Sequence, residues 1–251
     1  YIQNQPSFLQ AEIMEGQTSI AWTGKHFSAR INPCYVQKTQ RYSFQRPMVE
    51  SYRIKEADDS FFDDESTGKE QLALTERKQL IERLAPYPLY ERISAAAFSH
   101  GTIEHVEVKE YKRDRSCTNI SEKLIGFPIS ELDMFVSDEG QRLHSIHDNE
   151  PPSEMIDADE YNIYQLPYDA SGMLFASVCC KEPITLYIMF DEILKDNRID
   201  FLRLDCTNII RYDLCPGDHL IHMFEIYTMK YVQFTAIGGS CTVKDVYMTE
   251  Y

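Results

Sequence analysis

YNIYQL (161–166), GMLFASVCC (172–180), PITLYIMF (183–190), NIIRYDL (208–214), HLIHMFEIYT (219–228), KYVQFTAI (230–237) and CTVKDVYMTEY (241–251) follow one another along the chain. Each is rich in β-branched and aromatic residues and short enough for a strand. Turn residues separate them at Pro167–Gly172, Lys181–Pro183, Cys215–Asp218 and Gly238–Gly239. Strands recurring every ten residues or so, joined by such turns, predict an antiparallel β-sandwich of jelly-roll type. PITLYIMF is apolar almost throughout, as a central strand covered on both faces should be. KYVQFTAI is also denser in apolar residues than strict alternation, which predicts the same for it.

Upstream the pattern is more mixed. TSIAWTG (18–24) and the alternating stretch 33–54 read as strands, and EADDSFFDDESTG (56–68) as an exposed acidic loop. KEQLALTERKQLIERLA (69–85) spaces Leu72, Leu74, Leu80, Ile81 and Leu84 near helical periodicity, with Gly68 before it and Pro86 ending it. GTIEHVEVKEY (101–111) reads as an edge strand. KLIGFPISELDMF (123–135) reads as a short strand running into a helical turn, with Ser130 able to cap it. The polar run 138–160 suggests a linker or long loop. We therefore expect a mixed, mainly β region over 1–155, with one or two helices, and a jelly-roll-like sandwich over 156–251.

Composition narrows the partners. The chain has 251 residues, with 25 basic and 40 acidic, for a net charge of −15. That field repels phosphate, so nucleic acid and anionic lipid are not expected partners, whereas a neutral sugar is indifferent to it. No apolar run reaches the roughly eighteen residues of a spanning helix. The chain opens YIQNQPSFLQ, without Met or a signal-peptide profile, and closes on a strand. Both ends suggest a piece of a longer protein. Seven cysteines include no C-x-x-C spacing, so zinc and redox-pair readings lack support. Cys179 and Cys180 are neighbours on a strand and point to opposite faces, which disfavours a bond between them. The cysteines read as small buried hydrophobes.

Candidate chemistry is sparse. No G-x-G-x-x-G, P-loop or G-x-S-x-G occurs, so the usual devices for nucleotide binding and serine hydrolysis are missing. Asp191 and Glu192 follow the apolar strand directly. Paired acids there could hold calcium or sugar hydroxyls, or could close a turn and pair with Arg198 or Arg203. As a glycosidase acid–base pair they fail, because adjacent residues on an extended chain point apart. His219 and His222 should face opposite sides of their strand, and His144, His147 and Asp148 should lie in a solvated loop. Trp22, the single tryptophan, is expected in the core rather than in a sugar-stacking groove.

The C-terminal third resembles the accessory β-sandwich that precedes the catalytic barrel in α-L-rhamnosidases of glycoside hydrolase family 78 and related bacterial proteins. The likeness rests on TLYIMFDEIL (185–194), RIDFLRLDCTNIIRYDL (198–214), PGDHLIHMFEIYTMKYVQF (216–234) and VYMTEY (246–251), with KLIGFP (123–128) as a weaker match. The family places an F-D-E type strand end, an Arg/Asn segment, a Pro-Gly turn and an F-E-x-Y-T-x-[KR]-Y strand pair in this order. Its enzymes hydrolyse terminal L-rhamnose with inversion, using acids on an α-helical toroid that this chain does not contain. The resemblance therefore implies an accessory module of a glycoside hydrolase, with no catalytic residue to carry over and no cofactor beyond calcium. Its implied partners are a carbohydrate, rhamnose-containing by analogy, and a catalytic domain of the same parent protein. Analogy likewise implies a periplasmic or secreted setting. Asp191, Glu192, Arg203, Asn208 and Arg211 are the candidate sugar-binding residues. Arginines and acids in that segment could fork onto vicinal hydroxyls. The competing reading is an interaction or scaffold module without sugar affinity.

Overall fold

The structure, a computed structural model, describes residues 9–27, 29, 31–43, 46, 48–55, 73, 74, 76, 79, 81, 83–113, 121–123, 129–148 and 151–251. It divides into two compact units, 1–33 with 58–87, and 34–57 with 88–251. In the first unit, β1 (Glu12–Glu15) and β2 (Thr18–Trp22) form an antiparallel hairpin. Gly16 turns the corner at φ +60°, a conformation that costs glycine nothing. Trp22 is not a core residue: it is 38% exposed, edge-on to His26 at 4.3 Å. Most of the expected helix at 69–85, like the acidic loop at 56–68, lies outside the described residues. Those described there, Ala73, Leu74, Glu76, Gln79, Ile81 and Arg83 to Ala85, are not helical. Leu74, Ile81 and Leu84 are exposed, so these three positions of the expected stripe contribute no buried apolar surface to stabilise a helix.

The second unit is mainly β. In chain order it contains β3 (Ser51–Ile54), β4 (Arg92–Ser94), β5 (Ala96–His105), α1 (Val136–Gln141), β6 (Leu143–His147), β7 (Met155–Ile156) and β8 (Glu160–Cys180). Then come β9 (Ile184–Asp191), β10 (Ile209–Leu214), β11 (Gly217–His222), β12 (Tyr227–Ile237) and β13 (Cys241–Glu250). A 3-10 turn at Ile129–Glu131 and α1 supply the helical turns expected after residue 123, with Ser130 inside the turn rather than capping it. Among the described residues, eleven strands join one sheet in the order β3-β10-β9-β12-β8-β13-β4, while β5 and β11 also pair with β8, β6 with β5, and β7 with β13. All pairings are antiparallel except β3 with β10.

The sheet doubles over at β8. YNIYQL and GMLFASVCC are not two strands separated by a turn but one strand of 21 residues. Its first half pairs with β12 and β5, its second with β11 and β13. Between them the ladder to β12 breaks: Met229 faces Ala170 and Tyr231 faces Gln165, leaving Lys230 opposite Leu166–Asp169. Pro167 sits in this bulge, where no ladder hydrogen bond is asked of it. Likewise HLIHMFEIYT is not one strand; it turns at residues 223–226 between β11 and β12.

Two apolar layers result. Leu186, Ile188 and Phe190 of β9 meet Leu174, Ala176 and Val178 of β8 and Val243 and Met248 of β13 in the main core. Tyr187 and Met189 point the other way, into a second cluster with Val136 of α1, Phe201 and Leu202. That is why β9 carries no alternation. On the second face of β12, buried Gln233 stays satisfied by donating Nε2 to Ser145 Oγ at 3.1 Å and to Thr235 Oγ1 at 2.9 Å.

Where β5 crosses Tyr161, only a glycine fits. A Cβ on Gly101 would stand 2.2 Å from the Ile146 carbonyl oxygen and 2.5 Å from the Tyr161 hydroxyl. We expect Gly101→Ala to lose about 2–3 kcal/mol through overpacking, read from urea unfolding followed by far-UV circular dichroism.

Candidate functional site

The candidate site is the rim where β9 ends beside the β8 bulge. The apolar run of β9 stops at Phe190, and Asp191 faces Tyr231 of β12 as its last register partner. The Asp191 side chain is 2% exposed. Its Oδ1 accepts the Glu192 N–H at 2.8 Å and so closes the strand end. The chain then reverses through Lys195–Arg198, with Asp196 and Asn197 both in the left-handed region. A 3-10 turn at Arg203–Asp205 brings Arg203 back over the acids.

Arg203 donates Nε to Asp191 Oδ1 at 2.9 Å and Oδ2 at 2.7 Å, and Nη2 to Oδ1 at 2.6 Å. Its Nη2 also reaches Glu192 Oε2 at 2.5 Å. These bonds, to Asp191 first, hold the guanidinium well above its ordinary pKa. The pairing with Arg203 read from the sequence is present, and Arg203 places a positive charge between the two carboxylates. The Glu192 side chain remains 40% exposed.

Two further groups join from the bulge. The Asp169 carboxyl is shifted up by partial loss of water and then by Glu192, while Lys230 and Arg203 pull it back. Beside them Phe98 meets Tyr231 edge to face at 5.5 Å, with Phe98 45% exposed and Lys230 Nζ 5.7 Å from the Tyr231 ring centre. An open carboxylate, a cation and a partly exposed aromatic pair thus share one rim. None of Asp169, Lys230, Phe98 or Tyr231 was singled out from sequence. Their only signal was Pro167 within a strand-like run, which marks a bulge.

Of the five candidate residues, the structure brings Asp191, Glu192 and Arg203 together and leaves two apart. Asn208 Oδ1 accepts a hydrogen bond from the Tyr42 hydroxyl, and its backbone bridges Phe201 and Phe190. Arg211 lies under α1, with Nη1 on Glu139 at 2.5 and 2.7 Å and Nη2 on Asp213 at 2.8 Å. Tyr187, raised well above an ordinary phenol by burial and by Glu139, donates to the same carboxylate at 2.8 Å. Both residues tie α1 and the 199–208 segment to the sheet.

The histidines separate. His219 is buried with Nε2 2.7 Å from the Cys215 carbonyl, and His222 faces outward. His144 and His147 lie on β6 rather than in a loop, and His144 Nε2 contacts Arg198 Nη1 at 2.7 Å. Among the described residues, no three His, Cys, Asp or Glu side chains converge as metal ligands, and no helix is long and apolar enough to cross a membrane. On the outer face, His222, Phe175 and Tyr247 stack across three strands at 5.9 and 5.1 Å, and Arg92 covers Tyr247 at 3.8 Å. The rings present their faces to one another, so this ladder offers a sugar little more than edges.

Glu50, which carries no local signal in the sequence, is 1% exposed. It accepts the Tyr52 hydroxyl at 2.6 Å, the Tyr227 hydroxyl at 3.0 Å, and the N–H groups of Phe224 and Glu225 at 2.9 and 3.0 Å. Burial first, and Glu50 second, raise both phenols far above their ordinary pKa, so they stay protonated donors.

No protein-family model matches the chain, and no curated protein does. Among solved structures, the chain has weak similarity to two rhamnosidases. One is the GH78 family rhamnosidase of Bacillus sp. GL1, at 13% identity and a TM-score of 0.33, over 36% of this chain and 10% of that one. The other is a rhamnosidase from Klebsiella oxytoca with rhamnose bound, at 12% identity and a TM-score of 0.33, over 63% of this chain and 29% of that one. The matched region thus spans less than a third of either relative.

Proposed function

We propose that this chain is a non-catalytic accessory β-sandwich of an α-L-rhamnosidase-like glycoside hydrolase, which supports a catalytic domain of the same parent protein and offers it a carbohydrate contact. The observation that carries this reading is the meeting of two separate stretches of the sequence resemblance. The F-D-E strand end contributes Asp191 and Glu192, and the Arg/Asn segment contributes Arg203 to the same braced rim. Buried Asp191 positions Arg203, and Glu192 is left to accept hydroxyl groups beside Phe98 and Tyr231. A periplasmic or secreted setting accords with this role.

Titrating the chain with L-rhamnose and aryl rhamnosides, with and without calcium, tests it. Saturable binding is expected, weakened at least tenfold by Glu192→Ala with the fold intact. No saturable binding, or binding indifferent to Glu192, Arg203 and Phe98 substitutions, removes the carbohydrate contact. Turnover of an aryl rhamnoside by the purified chain overturns the non-catalytic assignment. A specific observation favours a second reading, a scaffold module without sugar affinity: Asp191, Asn208 and Arg211 spend their polar groups on the protein itself. Absence of binding in the same titration selects it.

A further inference from the structure

We infer that Cys180 and Cys241 are a disulfide pair that closes across β8 and β13 when the chain folds in the presence of a small-molecule or protein disulfide. The two residues are direct register partners on antiparallel strands, and both side chains are buried on the inner face, in the same core cluster. The kind of pairing matters. Val243, two residues beyond Cys241, sends its N–H away from β8, to the Glu154 carbonyl at 2.8 Å. On β8, Leu174, an even number of residues before Cys180, directs its carbonyl to Met223 beyond β11, at 2.9 Å. Backbone polar groups alternate along a strand, so Cys241 and Cys180 both turn theirs away from the ladder they share.

They are therefore a non-hydrogen-bonded pair, the closer of the two antiparallel arrangements, with Cα atoms about 4.5 Å apart. A disulfide needs Cα separations of roughly 4.4–6.8 Å and Cβ separations of roughly 3.5–4.5 Å. The narrow pair falls within the Cα range, and it is the antiparallel arrangement that brings the Cβ atoms closer together. In the thiol form Cys180 Sγ donates to the Cys215 carbonyl at 3.1 Å, a weak bond given up on turning toward Cys241. Cys179, the adjacent thiol, points to the opposite, outer face, where it is exposed.

The chemistry balances as thiol–disulfide exchange. The Cys180 thiolate attacks one sulfur of the external disulfide and expels the first thiolate. The Cys241 thiolate then attacks the Cys180 sulfur of the mixed disulfide and expels the second. Two protein thiols are oxidised, one external disulfide is reduced to two thiols, and the two protons pass to the leaving groups. Burial raises the Cys180 thiol and pushes the Cys241 thiol up to about 12, so the folded, reduced pair is a poor nucleophile. The bond accordingly forms while the strands are docking, before the core closes.

The test is to refold the reduced chain from denaturant in a buffer of oxidised and reduced glutathione, alkylate the remaining thiols, and map peptides by mass spectrometry without reduction. The expected result is a Cys180–Cys241 cross-linked peptide, with two thiols fewer alkylated than in a fully reduced control. In Cys241→Ala, Cys180 should be recovered alkylated. Full alkylation of Cys180 and Cys241 in the refolded chain, or linkage of Cys180 to Cys179 or Cys215, overturns the assignment.

Discussion

Replacing Glu50 with alanine should cost about 3–5 kcal/mol, among the largest losses available from one side chain. Among the described residues it pairs with no cation. It accepts four hydrogen bonds, from the Tyr52 and Tyr227 hydroxyls and the N–H groups of Phe224 and Glu225. It thereby pins the 223–226 turn to β3, two segments far apart in sequence. Alanine would strand two buried phenols and two amides, and each orphaned donor costs about 1–3 kcal/mol unless water reaches it. Phe224 is exposed, so water relieves part of that cost and keeps the total below the simple sum. Tyr52→Phe removes one donor together with its need for an acceptor, and should cost only about 1 kcal/mol. Urea unfolding should be followed by far-UV circular dichroism, because Trp22 lies in the other compact unit and is a poor reporter. A Glu50→Ala loss no greater than that of Tyr52→Phe would refute the clamp.

Arg203→Met should destabilise by about 3 kcal/mol, because it leaves the carboxylate of Asp191 buried without its cation. Asp191 is 2% exposed and Arg203 24%, so the pair is neither at the surface nor fully dry. The three short bonds between them give the strong, forked geometry of arginine on a carboxylate. Combining Arg203→Met with Asp191→Asn should recover part of the loss, since the uncompensated charge is then gone; a double-mutant cycle measures that coupling. Arg211→Met is the informative contrast. Its partners Glu139 and Asp213 keep side-chain exposures of 32% and 29%, so solvent screens them and about 1 kcal/mol is expected. Equal losses for the two arginines would show that burial of the carboxylate is not what decides the cost.

Strand content was legible wherever local pattern and tertiary role agree. β10 and β13 fall within the stretches that their composition marks, β9 runs one residue past PITLYIMF to Asp191, and β12 begins at Tyr227, in the preceding stretch, before running through KYVQFTAI. The reading failed where a residue's meaning depends on a distant partner. Pro167 looked like a turn because its missing N–H normally ends a ladder, yet it lies where the ladder to β12 is already interrupted. The apolar run through Met223 and Phe224 looked continuous, because no local signal announced that Glu50 captures the backbone there. Of the rim, Asp191, Glu192 and Arg203 were recoverable because strand-end acids and a nearby arginine are a local pattern. Asn208 and Arg211 shared that neighbourhood in sequence, but Tyr42 and α1 claim them. Phe98 and Asp169 arrive from other strands, and only the folded topology brings them near.

β8 belongs to both layers of the sandwich, and this sets where the chain can change length. A strand alternates its side chains between two faces, so one added or deleted residue inverts every position beyond it. Within 171–180 such a change would turn Leu174, Ala176, Val178 and Cys180 out of the core together. At residues 166–169, opposite Lys230 alone, the backbone already departs from register. Relatives of this chain that differ in length along this strand should therefore carry the difference at that corner, which makes it the point where evolution can reshape the adjoining rim without rebuilding either layer.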